Sequence, residues 1–140
     1  MYRLRNLDDG FVPDTVLFTG CNRLERKNLG RLGTSVTVGA GTTLTPEGRS
    51  GNEFFVVRDG EALCTVRGSE RAHFQRGDFF GEMALLDGGP RTATVKAKTS
   101  MDLVVYSLTE FRTMLDTSAS VRKHLLVEMS RRLRVADAAS

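Results

Sequence analysis

Between two strand-like stretches lies Phe79-Phe80-Gly81-Glu82-Met83-Ala84-Leu85-Leu86-Asp87-Gly88-Gly89-Pro90-Arg91-Thr92-Ala93-Thr94-Val95, whose residue types suit an anion held beside hydroxyl groups. Glu82 to Leu86 are good helix formers that span only about one turn, and Gly88-Gly89-Pro90 ends them sharply. Gly81 lets a ligand approach the backbone closely. The helical turn behind it presents free N–H groups at its N-terminus, which attract an anion. Arg91 can add a charge-assisted, bidentate contact to two phosphate oxygens. An ionised Glu82 only accepts hydrogen bonds, which suits sugar hydroxyls. An anion beside hydroxyls describes a ribose phosphate. A plain Glu82–Arg91 salt bridge would need neither Gly81 nor the helical turn.

The surrounding elements must position these groups. Asn22 with Glu25 three residues later starts a helix with a sparse apolar face of Leu24, Leu29 and Leu32, which Gly33 ends. From Ser35 to Leu108 the pattern is β. Val36 and Val38 alternate with polar residues, Thr42 to Thr45 is β-branched, and Phe54-Phe55-Val56-Val57 reads as a buried strand. Asp59-Gly60 then joins it to the alternating Ala62, Cys64 and Val66, a strong hairpin signal. Arg67-Gly68-Ser69 turns the chain so that Arg71 to Gln75 pairs back, Arg76-Gly77-Asp78 turns it again, and Arg91 stands at the start of a later strand. A last strand runs through Met101, Leu103, Val105 and Tyr106. Turns recurring roughly every 8 to 12 residues indicate a sandwich or barrel. Thr109 opens a helix with Phe111, Met114 and Leu115 on its core side. A second runs from about Ser120 to Val135, with Val121, Leu125, Leu126, Met129 and Leu133 on one stripe. Lys123, Glu128, Arg131, Arg132 and Arg134 fall mostly off that stripe, as a solvated face rather than a nucleic-acid patch.

Composition narrows the function classes. The 140 residues make one domain with room for a real core. The net charge of +3 is too small for a nucleic-acid footprint unless it clusters, and sixteen of the twenty basic residues are arginine. Cys21 and Cys64 form no CxxC, which points to free thiols in a reducing, cytoplasmic setting. Arg3 and Arg5 lead into Asp8 and Asp9 rather than an apolar run, so no targeting segment is expected, and no stretch is apolar enough to span a membrane. His73 and His124 are too few and too far apart for a metal site, so a metal-bearing jelly-roll enzyme is not expected. No Ser-His-Asp or Cys-His grouping appears. The expectation is a binding module without catalytic residues.

Phe80-Gly81-Glu82-Met83-Ala84-Leu85 and Pro90-Arg91-Thr92-Ala93 resemble the phosphate-binding cassette of the cyclic-nucleotide-binding domain family. The resemblance runs from about Leu32 to Val135 and takes in the Gly48…Gly51 loop, the Phe54–Val57 strand, the Asp59-Gly60 turn and both closing helices. It implies a mainly β fold, a jelly-roll-like β-roll flanked by an N-terminal helix and two C-terminal helices. The expected spans are an N-terminal segment and helix at 1–33, a roll at 34–108 with the cassette at 80–93, and hinge and lid helices at 109–140, one domain in all.

Carried over by position, Arg91 pairs with the cyclic phosphate, the amides of Ala84 and Leu85 bind the same group, and Thr92 and Ala93 border it. Thr92 faces the phosphate or the base edge, or is simply a β-branched strand residue. Glu82 accepts from the ribose 2′-hydroxyl, with Gly81 and Met83 beside the sugar. Cys64, Val66 and Phe74 line the base pocket, Cys64 as a small apolar residue, and Arg132 or Leu133 on the lid helix lies near the base. The implied ligand is cyclic AMP, or cyclic GMP, with no cofactor and no metal. An exposed lid helix leaves room for a homodimer or a separate effector protein. Relatives often carry a helix-turn-helix after this helix, but the sequence given stops at Ser140, so no DNA-binding element is expected. The alternative is a degenerate roll that has lost its ligand and serves as an interaction or dimerisation domain.

Overall fold

A computed structural model describes residues 3–5 and 14–139. Asp8 and Asp9 lie outside them. The elements are β1 (Arg3–Arg5), a 3-10 turn (Val16–Phe18), α1 (Arg23–Arg31), β2 (Thr34–Val38), β3 (Thr43–Thr45), β4 (Glu53–Asp59), β5 (Ala62–Val66), β6 (Ser69–Phe74), β7 (Phe79–Phe80), α2 (Glu82–Asp87), β8 (Thr94–Ala97), β9 (Met101–Ser107), α3 (Leu108–Thr117) and α4 (Ala119–Ala139). One antiparallel sheet has the order β1-β2-β9-β4-β7 and the other β3-β8-β5-β6. The expected jelly-roll-like β-roll with flanking helices is the architecture observed.

The β4–β9 pair explains the continuous apolar runs FFVV and LVVY. Such runs belong to strands buried on both faces. Phe55, Val57, Leu103 and Val105 point into the roll with Phe80, Val95 and Cys64. Their neighbours Phe54, Val56, Val104 and Tyr106 point the other way, into a second core under the helices with Phe79, Phe111, Met114 and Val121. The Phe54 ring lies 4.7 Å from Phe111 and 5.5 Å from Phe79, centroid to centroid.

Capping residues fix the helix starts. Asn22 accepts from the Glu25 amide at 2.8 Å and Glu25 accepts from the Asn22 amide at 3.2 Å, a reciprocal capping box. Ser107 and Glu110 make a second box, so α3 begins one residue before the expected Thr109. The orphan carbonyl of Leu29, in the last turn of α1, accepts from the Tyr106 hydroxyl at 3.0 Å and so docks α1 on β9. Burial holds that phenol well above its ordinary pKa. Tyr106→Phe should leave the carbonyl unpartnered and cost about 1–2 kcal/mol, read as a lower urea midpoint at unchanged slope.

Three sequence expectations are corrected. Asp59-Gly60 turns the chain but closes no hairpin: β4 pairs with β9 and β7 while β5 pairs with β8 and β6, so the turn carries the chain from one sheet to the other. Arg91 does not start a strand, because its amide donates to Arg49 O and its carbonyl accepts from Gly48 N, which holds it in a loop until β8 begins at Thr94. The apolar stripe of α4 is also rotated. Val121 and Leu125 are buried, but Leu126 and Leu133 are 66% and 62% exposed. The helix instead turns Glu128 and Arg132 inward, to polar partners described next.

Candidate functional site

The cassette folds as its residues require. β7 ends at Phe80, and Gly81 takes a φ of 95°, a left-handed conformation that admits few other residues. A Cβ there would also meet Glu53 O at 2.8 Å and Arg91 Nη1 at 2.9 Å. α2 follows for six residues and stops at Gly88, φ 70°. The turn places Glu82 on the wall of a cavity of about 660 Å³ between the roll and α4.

Most of the expected site residues meet at this cavity. Gly81, Glu82, Met83 and Ala84 line it from the cassette, and Arg91, Thr92 and Ala93 from the following loop. Cys64, Val66 and Phe74 line it from β5 and β6, and Arg132 from α4. Two do not. The Leu85 side chain is buried in the helix-side core, leaving only its backbone for a ligand, and Leu133 faces solvent while Val135 lines the cavity.

Glu82 is 3% exposed. Its Oε1 accepts from Arg132 Nη1 at 2.6 Å, and its Oε2 is buried without a hydrogen-bond partner. A buried carboxylate oxygen left unpaired is costly, so the site carries an unfilled acceptor. Arg132 reaches across from α4. Its Nη2 donates to Phe79 O at 2.7 Å, its Nε to Glu128 Oε1 at 3.3 Å, and its guanidinium lies 4.6 Å from the Phe79 ring centroid and 5.7 Å from that of Phe74. The hydrogen bonds from Arg131, helped by the charges of both arginines, hold the Glu128 carboxyl below its ordinary range.

Arg91 is 5% exposed. Its Nη1 donates to Gly81 O at 2.9 Å and its Nη2 to Glu53 O at 2.7 Å. Both acceptors are main-chain carbonyls, and together they orient the guanidinium. Burial pushes the Cys64 thiol up, partly offset by Arg132, which keeps it protonated and suits a pocket wall rather than a nucleophile. Among the described residues no group of three or more His, Cys, Asp and Glu is placed to hold a metal. His73 contacts Glu70, and His124 Nδ1 is 2.7 Å from Ser120 O. No described helix is long and apolar enough to cross a membrane.

Sequence reasoning missed three participants. On a helical wheel Glu128 falls on the solvent face, and only the inward turn of Arg132 brings it to the site. The carbonyls of Glu53 and Phe79 have no side-chain signature.

Comparison with known proteins agrees with this geometry. The family model described as "Cyclic nucleotide-binding domain" matches residues 35–118. The cAMP-dependent protein kinase regulatory subunit of Yarrowia lipolytica is 35% identical over 116 residues, 81% of this chain and 31% of that protein. The chain spans about a third of the length of the curated relatives it matches. Among solved structures, the Thermus thermophilus Catabolite Activator Protein superposes with a TM-score of 0.82 at 26% identity, covering 89% of this chain and 61% of that one. The regulatory domain of Toxoplasma gondii PKA, in co-crystal with cAMP, gives 0.71 at 25% identity, covering 82% and 45%. A family match over most of the roll, on a chain whose cassette brings a buried glutamate and a buried arginine to one cavity, makes this protein a member of the cyclic nucleotide-binding domain family.

Proposed function

We propose that the chain is a ligand-sensing module for cyclic AMP, in preference to cyclic GMP. The observation that carries the reading is the Glu82 carboxylate, buried to 3% exposure with Oε2 unpartnered, in a cavity that also holds Arg91. A ribose 2′-hydroxyl would satisfy that oxygen. Arg91 and the amides of Ala84 and Leu85 would meet the cyclic phosphate, with Thr92 and Ala93 beside it. Met83 and Gly81 would flank the sugar, and Cys64, Val66 and Phe74 would take the base. Arg132 would cap it, with Val135 in the place expected of Leu133. Cyclic AMP is favoured because the Toxoplasma gondii structure holds it and the curated relatives carry it in their names. The roll at 34–108 would hold the ligand and residues 109–140 would form hinge and lid, a binding role without catalysis. The free thiols of Cys21 and Cys64 suit a cytoplasmic setting.

The output would be a population shift. Leu85 packs in the same core as Phe111 and Met114, with Leu115 against it, so a phosphate that draws in α2 would repack the hinge and move α4. The ligand must bind the closed state more tightly for this to work. A separate effector protein, or a second copy, would read that movement.

Titration calorimetry with cyclic AMP, cyclic GMP and 5′-AMP tests the reading. Cyclic AMP is expected to bind tightest and 5′-AMP weakest. If neither cyclic nucleotide binds at high micromolar concentration, the proposal fails.

A further inference from the structure

We infer that Gly51 is a positioning residue for Arg91, a slot without a side chain that fixes where the guanidinium lies. The inference rests on the reading of Arg91 as the phosphate ligand. A Cβ at Gly51 would lie 2.7 Å from Arg91 Nη2 and 2.8 Å from Cζ, with Nε nearer still. Ordinary packing begins at about 3.5 Å between carbons. No backbone reason demands glycine here, because the φ of Gly51 is outside the left-handed region. The space is what is used.

The surroundings settle which partner yields to a side chain at this position. Gly51 immediately precedes Asn52 and β4, where Glu53 supplies the carbonyl that holds Nη2, so glycine and acceptor are two residues apart on one segment. Arg91 O and N are tied to Gly48 and Arg49, in the same loop. The main chain on both sides is therefore fixed, and the guanidinium is the movable group. Gly51 also lines a second hollow of about 320 Å³, while Arg91 lines the main cavity. An added methyl pushes Arg91 off the carbonyls of Gly81 and Glu53 and toward the cavity, which misplaces the charge without unfolding the roll.

The test uses Gly51→Ala in the full chain, with Arg91→Ala and Arg91→Lys as references. The first readout needs no ligand. The Arg91 Nε–H signal in nitrogen-15 NMR, assigned by its absence from Arg91→Lys, should shift and lose its protection from exchange in Gly51→Ala. An unchanged signal overturns the inference whether or not any nucleotide binds. The second is cyclic AMP affinity, expected to fall about tenfold or more in Gly51→Ala while the urea midpoint falls no further than in Arg91→Ala. In an Arg91→Ala or Arg91→Lys background the same substitution should add no further loss, whereas a merely structural role would give an additive one. Wild-type affinity in Gly51→Ala, an additive loss, or a urea midpoint below that of Arg91→Ala each overturns the positioning role. If Arg91→Ala itself binds normally, the phosphate reading has failed instead, and the NMR signal alone decides on Gly51.

Discussion

Replacing Arg91 with alanine should lower cyclic AMP affinity by about 2–3 kcal/mol, roughly 30- to 150-fold, because it removes a charge-assisted fork from a largely desolvated phosphate. The fold should suffer as well. Arg91 donates to Gly81 O and Glu53 O from a position 5% exposed, and its loss strips a donor from each carbonyl. A buried acceptor left unsatisfied costs about 1–3 kcal/mol. The two effects separate experimentally. Calorimetry well below the unfolding midpoint reads the binding loss, and a urea titration without ligand reads the structural one. Arg91→Lys keeps a charge but not the fork, so it should recover only part of the affinity. Wild-type affinity in a folded Arg91→Ala protein would remove the phosphate from this residue.

The second large effect is on the sugar. Glu82→Gln keeps the shape of the side chain but turns a charged acceptor into a neutral amide. Binding of cyclic AMP should weaken by about 1.5–3 kcal/mol, the worth of a hydrogen bond to a charged group. The sharper measure is a ratio. Wild type should prefer cyclic AMP to its 2′-deoxy analogue through Oε2, and Glu82→Gln should narrow that preference toward one. Arg132→Ala is the control, since it removes the partner on Oε1 and leaves Oε2 in place. It should loosen α4 yet keep most of the ribose preference. An unchanged ratio in Glu82→Gln would show that the carboxylate serves only to hold Arg132.

How much of this was legible in the chain depends on what carries the information. The β4 strand follows from Phe54-Phe55-Val56-Val57 and the turn after it from Asp59-Gly60, because burial and turn chemistry are local. The α1 start follows from Asn22 and Glu25 for the same reason. The strand pairing does not follow: β4 and β5 belong to different sheets, and which strand pairs with which is set by distant parts of the chain. The cassette was legible because Gly81, Glu82 and Arg91 each have a chemistry that few other residues supply. The tie between Glu82 and Arg132 was not, since it joins elements far apart in the chain and needs the angle of α4 on the roll. That angle also defeated the apolar periodicity: Leu126 and Leu133 give way to Glu128 and Arg132 because a buried carboxylate and the Phe79 carbonyl demand donors more strongly than two leucines demand cover. Arg91 lies outside β8 because its main chain is committed to Gly48 and Arg49, a pairing that side-chain patterns do not encode.

The double-faced wall of β4 and β9 sets a limit on how this protein can respond to a ligand. Phe54 and Phe55 are sequence neighbours that serve opposite cores, as are Val104 and Val105. Interiors packed to crystal-like density do not flex without opening voids. A wall that bows toward the roll would leave a gap under the helices, and the reverse would crush them. Bending is therefore closed as a route. Under the proposed sensing role, whatever the occupied cavity communicates would travel around the rim of the wall, through the turn at Gly81 and the anchored side chain of Leu85, while the strands between the two cores serve as the fixed frame.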